Sequence, residues 1–333
     1  MSGLRSGSKN GLLKVRVVDF TMQGVVRLFA FISVVMMAFV FAFVVGRAWP
    51  VIRESGLSFW TGSNFDSQIT EAYNAPAEAP VYQFGMFGLI AGTLASTLLA
   101  LVLAVPTGIG TAAVLCEFAP LWLKKPAVAC VRLLASIPSI VFGLLGLMVV
   151  VPLVEKLFIT VDMQIAWLDL FQMTGRNLLT SVIVLAFMIV PMVVALTMDA
   201  IFSVSDSLRE AGFAMGMTPW RVTWKIVLPS AKSGIVAGII LASGRGIGEA
   251  VAVSMVCGGI GLVPNPANGA GFLLGPILTL ASAIINKSEA ISVTSIESAL
   301  FACGAVLLTI GALLAIMARQ VERWIRRREG ANV

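Results

Sequence analysis

Uncharged apolar runs set the pattern of this chain. A bilayer core about 30 Å thick takes roughly 20 residues of helix at about 1.5 Å each, and six stretches are expected to span it. The first, residues 28–46, carries no charge, closes at Arg47 and is followed by Trp49-Pro50, an interfacial aromatic beside a helix stop. It is too long for the apolar region of a leader peptide and no clear small-x-small site follows, so an uncleaved first span is expected. Residues 86–116 come next, about 46 Å as a straight helix; Pro106 either kinks this run or ends one span and begins a partial one. Further spans are expected at 127–154, interrupted at Pro138 with Arg132 near its start, at 178–198, which contains Pro191, at 234–256 and at 299–317. Pro106 and Pro191 are read only as kinks. Residues 272–285 are apolar but too short to cross, which fits a re-entrant or interfacial helix. The pattern divides the chain into a leading segment 1–27, a first span with its outer loop 28–84, a core 85–320 and a basic tail 321–333. Within the outer loop, Asn74-Ala-Pro-Ala-Glu-Ala-Pro80 is expected to be mobile.

Composition closes off the soluble alternatives. Hydrophobic residues are 58% and charged residues 12% of the 333, against about 25% charged in a soluble domain. The absence of histidine excludes imidazole catalysis, Ser-His-Asp triads and His metal sites, and no metal or catalytic residue is expected. Cys116, Cys130, Cys257 and Cys303 lie in or beside apolar runs without disulfide or zinc spacing, and read as small buried hydrophobes. A net charge of +6 suggests nucleic acid until the charges are placed. With the N-terminus in the cytoplasm, 17 of the 23 Lys and Arg fall on inner segments, five fall outside and Arg245 alone lies within a span. That is the positive-inside bias of a multi-pass membrane protein with both termini cytoplasmic, so the basic balance is a topology signal and no nucleic-acid partner is expected.

The segment between the fourth and fifth spans carries the densest pattern. Ser205 or Ser207 can cap a short helix whose start Glu210 favours through the helix dipole. Gly216 is expected to end it, and Thr218-Pro219 to start a second. Trp220, Trp224 and Val227 then recur at helical spacing as an apolar stripe. Two short helices meeting at a glycine make a knob that fits a groove in a partner. The spacing Glu210-Ala211-Gly212, Gly216, then Ile226-x-Leu228-Pro229 resembles the EAA loop of ATP-binding-cassette importer permeases, with Gly212 standing where alanine is usual. The resemblance implies that this loop docks into an ATPase subunit. The alternative is an amphipathic juxtamembrane loop of some other membrane protein.

Within the fifth span lies Gly244-Arg245-Gly246-Ile247-Gly248-Glu249. An ionised group at bilayer depth costs about 2.5–3.5 kcal/mol, so both charges need a reason. Four residues apart, Arg245 and Glu249 are expected on one helical face, neutralising each other. Gly244 and Gly248, like Gly234 and Gly238, are expected to admit a neighbouring helix. The pair is either a packing salt bridge that never meets substrate, or a pathway element in which the planar fork of Arg245 touches an oxyanion while Glu249 holds it. Pro138-Ser139 is read as a packing kink with a satisfied hydroxyl, with a ligand role as the alternative.

Gly-Arg-x-x-Gly-Glu after such a loop resembles the permeases of phosphate-specific transport. So do the run Leu133 to Leu147, which includes Pro138, Ser139, Gly143 and Gly146, the segments Gly92-Thr93-Leu94 to Pro106 and Glu117 to Lys124, and Gly56-Leu-Ser-Phe-Trp60; the last favours the PstC over the PstA type of subunit. Gly246, Ala250 and the Thr197-Met198-Asp199 stretch depart from that pattern. The resemblance implies an all-α transmembrane, six-span MetI-like permease forming half of a phosphate importer's pore in a bacterial inner membrane. Implied partners are a second permease subunit, two ATP-binding subunits, an external phosphate-binding protein and membrane lipid. No Gly-x-x-x-x-Gly-Lys-[Ser/Thr] loop occurs, so ATP and its hydrolysis are expected in partner subunits and the chain itself is no enzyme. The alternatives are an importer of another oxyanion, such as molybdate or sulfate, and an ion-gradient-driven secondary transporter.

Overall fold

The computed structural model describes residues 6–76, 79–168 and 171–330, with side chains from Met22 to Trp324 except Ala270. Residues 77 and 78 of the outer loop, Arg5, and the end of the basic tail therefore lie outside the described residues, as do the side chains of Arg326 to Arg328. The chain divides at Arg47–Ala48 into two units. Its helices are α1 (Ser6–Ser55), α2 (Ser58–Thr61), α3 (Phe65–Asn74), α4 (Phe87–Ala113), α5 (Leu121–Ser136), α6 (Ser139–Leu145), α7 (Val151–Phe158), α8 (Val161–Trp167) and α9 (Leu178–Phe202). After them come α10 (Asp206–Ala214), α11 (Pro219–Val222), α12 (Leu228–Ser230), α13 (Lys232–Ile247), α14 (Val251–Val256), α15 (Ala270–Leu274), α16 (Leu280–Asn286) and α17 (Thr294–Gly330). Single π turns at Val114–Phe118, Gly146–Val150 and Thr223–Val227 join several of them.

Among the described residues, five helical stretches are long and apolar enough to cross a membrane: Met22–Ser55, Phe87–Phe118, Ser139–Phe158, Leu178–Phe202 and Thr294–Trp324. A bent pair, Pro219–Ser230 and Lys232–Ile247, meets at 68° and brings the count to six if it is one span. Four of the expected spans match these stretches, the second beginning one residue earlier than its helix. The third is divided: α5 stops at Ser136, and Pro138, which has no N–H to continue it, starts a separate helix. The fifth is broken as well. Three glycines in five residues weaken the helix, which ends at Ile247, and α14 restarts at Val251. Pro106 breaks nothing. α4 continues past it, and the Thr107 hydroxyl donates to the carbonyls of Leu103 (2.7 Å) and Ala104 (3.2 Å), serving the turn that the proline disturbs.

α9 is the buried axis of the second unit, flanked by α4, α5 and α13, with α17 against α13. Small residues set these distances. A Cβ on Gly234 would sit 2.7 Å from that of Ala200, and one on Gly238 would sit 2.9 Å from that of Leu196, so α13 crosses α9 on its glycine face as expected. The short apolar run after α14 is not one helix. α15 and α16 flank an extended stretch whose backbone is paired inside the protein: Ile277 N–H donates to the Cys257 carbonyl (2.7 Å), Leu178 N–H to Gly275 (3.0 Å), and Leu280 N–H to the Thr93 hydroxyl of α4 (2.9 Å). Irregular backbone at such a place survives because it is covered by protein.

The outer insertion folds over this stretch. Phe59, Phe65 and Phe84 are buried, and both Asp66 carboxylate oxygens are engaged, by Gly261 N–H and Lys287 Nζ, each at 2.6 Å. One consequence is measurable. A Cβ on Gly92 would meet the Leu278 carbonyl at 2.7 Å, whereas one on Gly110 of the same helix meets nothing within 4 Å. Gly92→Ala is expected to destabilise the folded chain by about 1–3 kcal/mol, and Gly110→Ala to be neutral or stabilising, read as thermal midpoints in detergent. Equal midpoints for the two would contradict the packing.

Candidate functional site

The loop between α9 and α13 is a glycine-hinged pair of helices. Ser205 holds the N-cap position of α10 without capping it, since its hydroxyl pairs with that of Ser207 at 3.1 Å. Asp206, not Glu210, occupies the first turn. At Gly216 the backbone turns left-handed (φ +72°), and Met217 N–H donates back to the Gly212 carbonyl (3.2 Å). Thr218 then caps α11, accepting from Arg221 N–H at 3.4 Å, with Pro219 in the first turn. The two ends of the motif touch: a Cβ on Gly212 would stand 2.6 Å from Ile226 Cδ1 and 3.0 Å from Val222 Cγ2. Glu210, Ala211 and Pro229 are exposed, and Leu228 is buried.

The expected apolar stripe is corrected. Trp220 and Trp224 face outward with rings 5.6 Å apart, while Val227 is fully buried. The π turn at Thr223–Val227 inserts an extra residue and rotates Val227 away from the tryptophans into the core. Phe118, at the end of α4, extends the exposed aromatic patch to Trp220 at 5.8 Å.

The second candidate region is the pair of helix breaks. Arg245 and Glu249 form no ion pair, because the helix ends between them and the four-residue spacing no longer puts them on one face. Each charge instead meets a helix end. Arg245 donates to the Ala135 carbonyl in the last turn of α5 (3.4 Å), where the dipole is negative, and Glu249, which is buried, accepts from Ala252 N–H (3.1 Å) in the first turn of α14. The packing assignment for Gly244 and Gly248 is also corrected. Gly244 lies six residues past Gly238, about 240° around the helix, and no neighbouring element approaches either glycine. Gly246 takes the close contacts, with Ile189 and Thr97 about its Cβ position at 3.0 and 3.1 Å.

Pro138 opens α6 beside Ser139, whose hydroxyl makes no hydrogen bond among the described residues, so the satisfied kink is only half present. Gly143 and Gly146 of the same segment pack closely on α14: their Cβ positions lie 2.9 Å from Ala252 Cα and 3.0 Å from Val256 Cγ1. The two breaks thus lie side by side, bridged by Arg245. Of the cysteines, Cys116, Cys257 and Cys303 are buried as expected; Cys130, on the outward face of α5, is exposed.

Two residues matter more than their sequence context suggests. Arg209 counts in the sequence only as an inner charge, yet its side chain is 17% exposed and bonds Glu117 of the α4 end. No periodicity links positions 92 apart. Asp199 meets Arg132 across α5 and α9 at 3.1 Å, with both side chains exposed.

Residues 104–327 match the family described as the binding-protein-dependent transport system inner membrane component. The chain is 32% identical to the phosphate transport system permease protein PstC of Pasteurella multocida, over 98% of both chains. It is also 32% identical to the PstC of Mesorhizobium japonicum, over 99% of this chain and 98% of that one. To the Mycobacterium tuberculosis PstC 2 it is 36% identical over 64% and 65%. Among solved structures it is similar to a chain of the methionine transporter MetNI in an inward-facing conformation, at 20% identity and a TM-score of 0.49, covering 72% of this chain and 94% of that one.

Proposed function

The chain belongs to the binding-protein-dependent transport permeases and, within them, to the PstC phosphate permeases, and on that premise we propose that it forms half of the membrane pathway of an ATP-driven phosphate importer. The observation that carries the coupling role is the hinged knob, in which the left-handed Gly216 and the Gly212–Ile226 contact hold an exposed aromatic patch and an exposed Glu210 on one compact element. Two ATP-binding subunits dock there, one on this chain and one on a second, PstA-like permease. Their closure on ATP moves the knob and switches access to the pathway. An external phosphate-binding protein delivers the anion on the opposite side, and both termini lie in the cytoplasm, as the placement of basic residues supports. Arg245 is the cation of the pathway. Its guanidinium is partly exposed beside the two helix breaks and keeps donors free beyond the bond to Ala135. Glu249 serves it indirectly, by capping α14 and fixing the break. ATP is bound and hydrolysed in the partner subunits.

The test is phosphate uptake into proteoliposomes holding the full assembly. Uptake that requires ATP and the binding protein, and persists without an ion gradient, is expected. Uptake driven by a proton or sodium gradient without ATP would refute the reading.

A further inference from the structure

We propose that Arg209 and Glu117 form a rigid link that carries movement of the knob into α4, an inference that rests on the knob being the ATPase docking element. The Arg209 guanidinium binds four acceptors on three parts of the chain. They are the carbonyls of Ile201 (2.9 Å) and Val204 (2.7 Å) at the end of α9, Asp206 Oδ1 (2.9 Å) at the start of α10, and Glu117 Oε1 (3.3 Å) in the π turn that ends α4. A planar fork with five donors can do this; a lysine ammonium, with three donors on one point, cannot span the same set.

The bond to Glu117 differs from the inter-helix ion pair of Arg132 and Asp199. The Arg209 and Glu117 side chains are 17% and 16% exposed, whereas Arg132 and Asp199 are each 59% exposed. Water screens the second pair and makes its separation cheap. Pulling the first apart strands the Glu117 carboxylate, a charge largely out of water, while Arg209 keeps its other acceptors, so the ends of α10 and α4 are constrained to move together.

The π turn is held from other directions as well. Lys124 Nζ donates to the Cys116 carbonyl (2.7 Å) while sitting 5.2 Å above the Phe202 ring of α9, and Trp220 of α11 meets Phe118 of the same turn. Both helices of the knob therefore grip the end of α4, one by charge and one by aromatic contact. Arg209 directly precedes the exposed Glu210-Ala211 edge, so displacement of that edge reaches the link within one residue. From there the helix extends about 35 Å to Thr93 near its other end, whose hydroxyl holds Leu280 N–H of the extended stretch. A displaced knob thus moves a helix that reaches the far end of the bundle.

The test uses the complete importer in proteoliposomes. Glu117→Gln keeps the size and an acceptor of the side chain but removes its charge, and it leaves the other three bonds of Arg209 in place. The variant is expected to retain its ATPase subunits at the wild-type ratio while phosphate moved per ATP hydrolysed falls about tenfold. Spin labels at Ser207→Cys and Val114→Cys, both exposed sites, with Cys130→Ser, are expected to keep one separation with and without ATP; adding Glu117→Gln makes that separation depend on nucleotide. A transport-to-hydrolysis ratio within twofold of wild type, or a label separation that shifts with ATP in the unaltered link, overturns the proposal. ATPase subunits that remain bound after deletion of residues 210–216 would instead overturn the docking reading, and the link with it.

Discussion

Trp220→Ala combined with Trp224→Ala releases the ATPase subunits, weakening their association by at least about 100-fold. Both rings are about half exposed on the knob, 5.6 Å apart, and continue into Phe118. Exposed clustered tryptophans are the side chains whose truncation costs an interface about 2 kcal/mol or more each, and two such losses, about 4 kcal/mol, amount to several hundredfold if additive and at least about 100-fold if partly redundant. The fold loses only the Trp220–Phe118 contact with them, and the Arg209–Glu117 bond still ties the knob to α4. The knob's own packing runs through Gly212, Val222, Ile226 and Val227, which the double substitution leaves intact. The chain should therefore still reach the membrane and fold, with a thermal midpoint near wild type. Deletion of residues 210–216 should abolish association and ATP-driven uptake altogether. Titration of ATPase subunits onto the permease pair in nanodiscs gives the affinity, and a change below threefold in the double variant would contradict docking at this patch.

Arg245→Ala is expected to lower phosphate uptake about 100-fold without releasing any subunit, and Arg245→Lys to fall between it and wild type. The arginine sits against the last turn of α5, bonded to one carbonyl, with the rest of its fork unassigned by the protein among the described residues. A lysine keeps the charge near that negative helix end but loses the planar pair of donors that fits two oxygens of a tetrahedral anion. Loss of the cation altogether leaves an anion to pass a desolvated stretch unpaired, a cost of about 2–5 kcal/mol in comparable buried charge pairs. The comparison with Glu249 is informative. Glu249→Gln keeps an acceptor for Ala252 N–H, and is expected to be far milder than Arg245→Ala. If Glu249→Gln matched Arg245→Ala, the two would act as one ion pair after all. Wild-type uptake in both Arg245 variants would remove this residue from the pathway.

Which features were legible in the sequence depended on how far apart the interacting residues lie. Spans at 28–46, 86–116, 178–198 and 299–317 were legible because burial in lipid demands unbroken apolar runs of fixed length, a local property of the chain. The hinge at Gly216, the cap at Thr218 and the start at Pro219 were legible too, since turn chemistry is written in three or four neighbouring residues. The Gly234 and Gly238 face was found by spacing alone. Reading failed where one residue changes the helical phase. The π turn after Trp220 sent Val227 inward, and the break at Gly248 separated Arg245 from Glu249. Both positions fit a regular helix until three-dimensional packing chooses otherwise, because a single inserted or unwound residue costs little locally and is decided by what the rotated side chains then meet.

The amino-acid sequence by itself determined that this chain lies in a membrane, where most of its helices run and which loop forms a hinged knob, all consequences of hydrophobic length and turn residues close together in the chain. Only the tertiary structure decided the partners of its charges: Arg245 with the end of α5, Glu249 with the start of α14, and Arg209 with Glu117. The physical reason is that desolvated charge is neutralised by whatever dipole or counter-charge folding brings within about 3 Å, and neither a helix end nor a residue 92 positions away announces itself in local spacing.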